Sequence, residues 1–311
     1  PLLQALLRLQ DRYLLSRLDI ACGSGIFLEE AFAYLQDYCV QWYINNGQTD
    51  HLIETGIDLY KLPLQEKKDI LCSCIYGIDI DIHAVEVAKF SLLIKLIEDE
   101  TAPSVAEVVP ILPDLGDNIQ FGNSLVSQTE LNGISSANRQ MMEIAPFDWS
   151  TINNGCGFDV IIGNPPYVNT EGMHALLPSA EVEVYKKKYK TSHKQFDKYF
   201  IFIEQAINKI NENGLVCYIV PNKFFKIGAG EKLRNLIAKE RMLVSLDDFG
   251  DAQLFEDKTI YSSIILLSKA KQTSFVYSSV DSANKLWAGE EVSSIELSSS
   301  VLNKLPWRLT T

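Results

Sequence analysis

Phe158-Asp-Val-Ile-Ile-Gly-Asn-Pro-Pro-Tyr167 is the most informative stretch of this 311-residue chain. Its mostly apolar first half reads as a strand buried on both faces, and it runs directly into Asn164-Pro165-Pro166-Tyr167. Two successive prolines lock the backbone just outside a sheet. The lock leaves the Asn164 amide oxygen and the Pro165 carbonyl as two acceptors that cannot relax away, with the Tyr167 ring beside them. Two acceptors and an aromatic plane suit the exocyclic amine of a base taken out of its stack. A bare turn could have the same four residues. The strand before it, and three signals upstream in consistent order, give it meaning.

The first of these is Asp19-Ile-Ala-Cys-Gly-Ser-Gly-Ile-Phe-Leu28, a short strand, a Gly-x-Gly turn and an apolar helix start. Glycines there let a ligand approach the backbone, and the helix N-terminus offers free N–H groups. With two glycines the dinucleotide fingerprint is not satisfied, and a tight turn without a ligand reads equally well. The second is Tyr76-Gly-Ile-Asp-Ile-Asp81. An acid ending this strand can accept hydrogen bonds from both ribose hydroxyls of an adenosyl group. Asp79 is preferred for that role, with Asp81 as the cap of the following helix. The third is Phe121-Gly-Asn-Ser-Leu125, where Asn123 either reads the amino group of an adenine ring or is a plain turn residue.

Strand-like runs at Leu18–Ala21, Ile75–Asp79, Asn118–Phe121, Asp159–Ile162, Leu215–Val220, Leu243–Asp248 and Ser262–Leu267 alternate with helical patterns at Phe27–Tyr43, His83–Glu98, Tyr199–Asn211 and Gly230–Lys239. In the second helix Ala84, Val87, Ala88, Ser91, Leu92 and Lys95 recur at helical spacing. This alternation predicts an α/β fold: a doubly wound, Rossmann-like sheet, mostly parallel, with a late antiparallel strand near Ser262–Leu267. Residues 45–69 and 130–155 read as surface excursions. From Ala270 the chain turns Ser-rich and reads as a weakly structured connector.

Apolar residues make up 47% of the chain, enough for a sizeable core. Runs such as Tyr199–Ile203 and Ile264–Leu267 fall far short of the ~20 residues a membrane helix needs. The six cysteines include no CxxC pair, Cys72-Ser-Cys74 has the wrong spacing for a zinc site, and the four histidines are dispersed. No metal is expected, and the thiols read as reduced, cytosolic ones. Pro1 is not followed by a secretory leader, and the missing initiator Met reads as a fragment of something longer. Against 40 Asp+Glu the chain sets 28 Lys+Arg, a net charge of −12. That balance excludes a wholly basic surface but allows a local basic stripe. The candidate is Lys186, Lys187, Lys188 and Lys190, interleaved with Tyr185 and Tyr189. Such a run reads as contacts to phosphates and unstacked bases, or as a solvated helix face.

From Leu18 to about Lys269 the order of these motifs resembles that of amino-methyltransferases using S-adenosylmethionine, specifically N6-adenine DNA methyltransferases of the gamma arrangement. In detail it looks like the methyltransferase part of type IIG restriction–modification enzymes. Ile78-Asp-Ile-Asp-Ile-His-Ala-Val-Glu-Val-Ala-Lys89, Tyr218-Ile-Val-Pro-Asn-Lys223 and Asp248-Phe-Gly-Asp251 add to the likeness. Ile20 stands where that family usually has Pro, and its upstream segment closing over the methionine end would lie ahead of Pro1. The resemblance implies S-adenosylmethionine as cofactor, with Asp19, Ala21, Gly23 and Gly25 around its methionine moiety. Asp79 would hold the ribose, Ile80 would pack one adenine face, Asn123 would face the adenine amino group, and Phe202 would cover the other face. Phe202 reads equally well as a core residue of an amphipathic helix. Phe255, in Leu254-Phe-Glu-Asp-Lys258, would flank the flipped base, with Asn164, Pro165, Pro166 and Tyr167 at its amine.

The expected activity is methyl transfer from S-adenosylmethionine to N6 of adenine in double-stranded DNA, within a restriction–modification system in the bacterial or archaeal cytoplasm. Residues 1–270 would form the catalytic domain. Residues 271–311 would connect it to a target-recognition region of the same polypeptide, with a fused nuclease left open. Protein-glutamine methylation, which also uses an Asn-Pro-Pro-Tyr turn, and a non-catalytic specificity or scaffold subunit are the alternatives.

Overall fold

A computed structural model describes residues 15–106, 108–253, 261–280 and 292–310. The described residues divide into two compact units, one of residues 15–122 with Asp148–Cys156, the other of Asn123–Phe147 with the described residues from Gly157 onward.

The first unit runs β1 (Arg17–Asp19), α1 (Ile26–Asn45), a hairpin of β2 (Ile53–Gly56) and β3 (Leu59–Lys61), α2 (Leu64–Cys74), β4 (Ile75–Asp79), α3 (Ile82–Ile97), α4 (Ala102–Ala106) and β5 (Ile119–Phe121). Strand β4 pairs in parallel with β1 on one side and β5 on the other. Parallel neighbours need crossover connections, which the helices supply. In α1, Leu28, Ala31, Phe32, Leu35 and Cys39 fall on one stripe and are buried. Its cap Gly25 has φ +91°, and a Cβ built there would lie 2.9 Å from that of Ala88 in α3. The start of α1 is therefore pressed against α3. In α3 the buried stripe is Val85, Ala88, Leu92 and Leu96, rotated from the expected one. Val87 is 49% exposed, as are the nearby Phe90 and Ile94 in large part. With apolar residues on both sides, spacing alone cannot choose the buried face.

The second unit contains α5 (Ala137–Ile144), β6 (Phe158–Gly163), α6 (Thr170–Leu176), α7 (Ser179–Lys188), α8 (Lys198–Lys209), β7 (Ile210–Pro221), α9 (Lys223–Lys226), α10 (Glu231–Glu240), β8 (Leu243–Gln253), β9 (Tyr261–Ser268), β10 (Ser274–Ser279) and β11 (Ser293–Ser298). Its strands lie in the order β6-β7-β9-β8-β10-β11. The pairs β6–β7 and β8–β10 are parallel, while β9 is antiparallel to both β7 and β8, as the late antiparallel strand was expected to be. Core strand β6 is buried along almost its whole length. Helix α8 is buried from Lys198 to Ile207. Its polar members are matched: Glu204 accepts the Lys190 and Thr191 N–H groups at 3.0 and 2.8 Å, as a buried carboxylate requires.

Two expectations need correcting. The Ser-rich stretch after Ala270 is not weakly structured, since β10 and β11 extend the sheet, with Phe275 and Tyr277 buried. Its serines spend their backbone groups in the ladder, which composition does not reveal. Nor are the two long insertions simple excursions. The β2–β3 hairpin is exposed, but Leu62, Leu64, Ala137, Ile144, Phe147 and Ile152 are buried. Among the described residues no helix is long and apolar enough to cross a membrane.

Candidate functional site

In the first unit the candidate cofactor residues Asp19, Ala21, Gly23, Gly25, Asp79 and Ile80 lie at or just after the C-terminal ends of β1 and β4, while the candidates Asn123 and Phe202 belong to the second unit. Asp19 closes β1 and its Oδ1 accepts the Ala21 N–H at 2.9 Å. Asp79 closes β4: its Oδ2 accepts the Gly23 N–H at 2.8 Å and its Oδ1 accepts the Asp81 N–H at 2.9 Å. One carboxylate thus ties the glycine turn to the end of the strand. Gly23 has φ +53° with open space where a Cβ would lie, so a ligand can approach its backbone closely. Ile80 presents a 45% exposed apolar side chain beside Asp79. Asp81 accepts the His83 N–H at 2.9 Å and caps α3. Asp79, Gly23, Gly25 and Ile80 fit an adenosyl ligand: an acceptor at a strand end, a glycine turn and an apolar face.

Burial pushes the Asp19 carboxyl up to about 7; the Ala21 N–H opposes this and the nearby Asp79 adds to it. A carboxyl raised on folding favours the folded state fully below its ordinary value of 3.8, and that contribution is lost as pH rises through about 7. Asp19→Asn keeps an acceptor for Ala21 but cannot ionise. The stability difference between variant and wild type is expected to move in the variant's favour from pH 5 to pH 8, measured by chemical denaturation at both. A difference that does not change would show that Asp19 titrates normally.

In the second unit the turn after β6 holds Asn164, Pro165, Pro166 and Tyr167. The Tyr167 hydroxyl contacts the Asn164 Oδ1 and, at 2.9 Å, the Ile219 carbonyl of β7. Burial raises the hydroxyl's pKa well above the ordinary tyrosine value, so it stays protonated and donates. Tyr199 in α8 meets the Tyr167 ring edge-on, with centroids 5.9 Å apart, and bonds the Pro221 carbonyl. The turn is thus braced from β7 and α8.

Asn123 is buried. Its Nδ2 donates to Glu181 Oε1 at 3.0 Å and its Oδ1 accepts the Leu125 N–H at 3.1 Å. Phe202 lies in the buried stretch of α8 and is 5% exposed. Phe255 lies outside the described residues.

The lysine run is rearranged relative to its expected use. Tyr185 and Tyr189 are buried, so neither offers an open face for a base. Lys188 also turns in: its ammonium donates to the Leu125 carbonyl at 2.9 Å and pairs with Glu130 at 2.9 Å. Burial lowers its pKa, with Glu130 opposing. Lys186, Lys187 and Lys190 remain exposed, Lys187 pairing with Glu183 one turn back at 2.6 Å.

Three features escaped the sequence reading. Glu181 is a fully buried carboxylate behind Asn123. The Ile219 carbonyl anchors Tyr167. Asn222, just after β7, donates to Asp248 Oδ1 at 2.8 Å and so joins two stretches that had counted only as supporting matches. Lys223 and Lys226 beside it pair with Asp197 and Asp248, each at 3.0 Å. A Pro-Asn-Lys stretch following an apolar strand was the available signal.

The mostly parallel α/β fold is similar to that of solved methyltransferases. It resembles a putative S-adenosylmethionine-dependent methyltransferase from Listeria monocytogenes with TM-score 0.50, at 15% identity over 93% of this chain and 66% of that one. It also resembles the protein in the DrdV–DNA complex with TM-score 0.59, at 14% identity over 91% of this chain and 27% of that one. Residues 73–255 match the Eco57I restriction-modification methylase family, and the chain belongs to it. The type II restriction enzyme and methyltransferase RM.Eco57I of Escherichia coli is 42% identical over 273 residues, which is 88% of this chain and 26% of that protein. The chain therefore spans about a quarter of that relative's length.

Proposed function

We propose that this chain is the catalytic part of a site-specific DNA methyltransferase of a restriction–modification system, moving a methyl group from S-adenosylmethionine to N6 of an adenine flipped out of duplex DNA. The observation that carries this reading is the braced Asn164–Tyr167 turn at the end of a buried strand, in a chain of the Eco57I family. S-adenosylmethionine, when bound, supplies a methyl group on a sulfonium, open to direct attack by an amine. Asp19, Ala21, Gly23 and Gly25 would hold its methionine end, Asp79 its ribose, Ile80 an adenine face, and Asn123 the adenine amino group.

The adenine N6 lone pair is delocalised into the ring and is a poor nucleophile. Acceptance of its two N–H bonds by Asn164 and the Pro165 carbonyl favours a pyramidal nitrogen with a localised pair. The same acceptors stabilise the positive charge that grows on nitrogen. Once transfer is complete the nitrogen is acidic and loses its extra proton to water, so no strong general base is required. Residues 1–270 are assigned this chemistry. Sequence discrimination needs side chains at base edges and is assigned to a target-recognition region outside residues 1–311.

The test supplies the purified protein with methyl-labelled S-adenosylmethionine and either duplex DNA or a glutamine peptide. Label in N6-methyladenine of the digested DNA is expected. Label in glutamine alone would sink the proposal.

The exposed lysines make a separate expectation. Lys186→Ala and Lys190→Ala should each weaken duplex binding evenly across sequences and lower the salt slope by about 1. Lys188→Ala should instead lower the melting temperature, because it strips partners from Glu130 and the Leu125 carbonyl. An unchanged slope in both exposed variants would remove this helix end from the DNA surface.

A further inference from the structure

Glu181 in α7 is 1% exposed and has no part in the chemistry above. Three donors meet its Oε1: Asn123 Nδ2 at 3.0 Å, the Tyr185 hydroxyl, and the Lys198 ammonium at 3.6 Å. A carboxylate this deep is tolerable only when satisfied in this way. The residue capping the end of this helix and the helix after it also hold the backbone that follows Asn123. The Tyr189 hydroxyl donates to the Leu125 carbonyl at 2.7 Å, and Gln205 Nε2 donates to the Ser124 carbonyl at 2.9 Å. The Asn123–Leu125 loop is thus tethered through its side chain and its carbonyls.

The chemistry of the partners fixes which way the Asn123 amide points. A carboxylate only accepts, so the amide nitrogen must face Glu181. The Leu125 N–H only donates, so the amide oxygen must face it, as it does at 3.1 Å. An amide turned end for end would set oxygen against carboxylate and nitrogen against N–H. In the observed orientation the amide oxygen keeps a second lone pair for a ligand donor.

We infer that Glu181 is a positioning residue that fixes Asn123 as an acceptor and so makes the cofactor site select a purine with a 6-amino group over one with a 6-oxo group. The inference rests on the reading of Asn123 as the contact to the cofactor's adenine. An adenine amino group donates to the fixed oxygen. The 6-oxo group of hypoxanthine would meet that oxygen lone pair to lone pair. Glu181 acts through Asn123 and touches neither reactant.

The test compares binding of S-adenosylhomocysteine and S-inosylhomocysteine to the purified protein by calorimetry, with the ratio of the two affinities as the readout. The wild type is expected to prefer the adenosyl compound by about tenfold or more, the scale of one hydrogen bond involving a buried polar group. Glu181→Leu should bring the ratio toward one. A merely structural Glu181 would weaken both ligands together and leave the ratio unchanged. The exchange Asn123→Asp with Glu181→Gln should restore the preference, because an Asp accepts at both oxygens and the Gln amide donates to it. A wild-type ratio kept by Glu181→Leu would overturn the inference alone. If Glu181→Leu does not fold, the exchange decides: recovery supports the inference, and a ratio near one overturns it. Equal binding of the two compounds by the wild type would overturn the reading of Asn123 and the inference with it.

Discussion

Asn164→Ala is expected to leave S-adenosylmethionine affinity nearly intact and to lower the methyl-transfer rate by about 10²–10³, the cost of deleting one preorganised group from an anion hole. The same logic holds with the sign of the charge reversed. In the proposed mechanism Asn164 would offer a fixed acceptor where positive charge grows, and that acceptor would cost no reorganisation because the Tyr167 hydroxyl already holds it. Calorimetry measures the binding and single-turnover kinetics with saturating cofactor measures the rate. Near-normal turnover in the variant would refute the assignment of Asn164 to the target amine. A parallel loss of cofactor affinity would move Asn164 from the target to the cofactor.

Asp79→Ala is expected to weaken S-adenosylmethionine binding by roughly 1.5–3 kcal/mol, the range for hydrogen bonds involving a charged group. Removing its carboxylate releases the Gly23 and Asp81 N–H groups as well, so the glycine turn loses its brace together with the proposed ribose contact. Asp81→Ala removes a helix cap from His83. That loss should cost roughly 0.5–2 kcal/mol of stability and little affinity. Equal affinity losses at the two positions, or the reverse order, would refute the division of roles between these acids.

How far the sequence could be read depended on how local each determinant is. Strand β4 occupies Ile75–Asp79, the bounds its apolar run and terminal acid suggest. The role of Asp81 as the cap of α3 was legible for the same reason, since a cap two residues past a strand end is a near-neighbour effect. Strands β10 and β11 were not. Their Ser-rich segments become strands by pairing with residues such as Ser245 far away in sequence. Burial on α7 and its capping residue Tyr189 was hidden too. Alternating lysines and tyrosines look like a nucleic-acid face, but Tyr185 and Tyr189 point into the unit because Glu181, Leu125 and Gln205 receive their hydroxyls. The turn at the end of a buried strand was legible from Asn-Pro-Pro-Tyr, while its brace on the Ile219 carbonyl comes from a neighbouring strand.

The close approach of Gly25 to Ala88 has a consequence for how the glycine turn can vary. Both positions sit where two helices touch, and position 25 leaves no room for a methyl group, since a Cβ there would already lie 2.9 Å from the one at 88. Ala88 is fully buried and has no group to offer a ligand. It nonetheless sets how near α3 lets the first turn of α1 come, and with it where the free N–H groups of that turn stand. Enlarging Ala88 to Val would wedge the two helices apart and carry those N–H groups with them. A residue on a neighbouring helix thereby acts as the spacer for the glycine turn, and the pair is free to change only together.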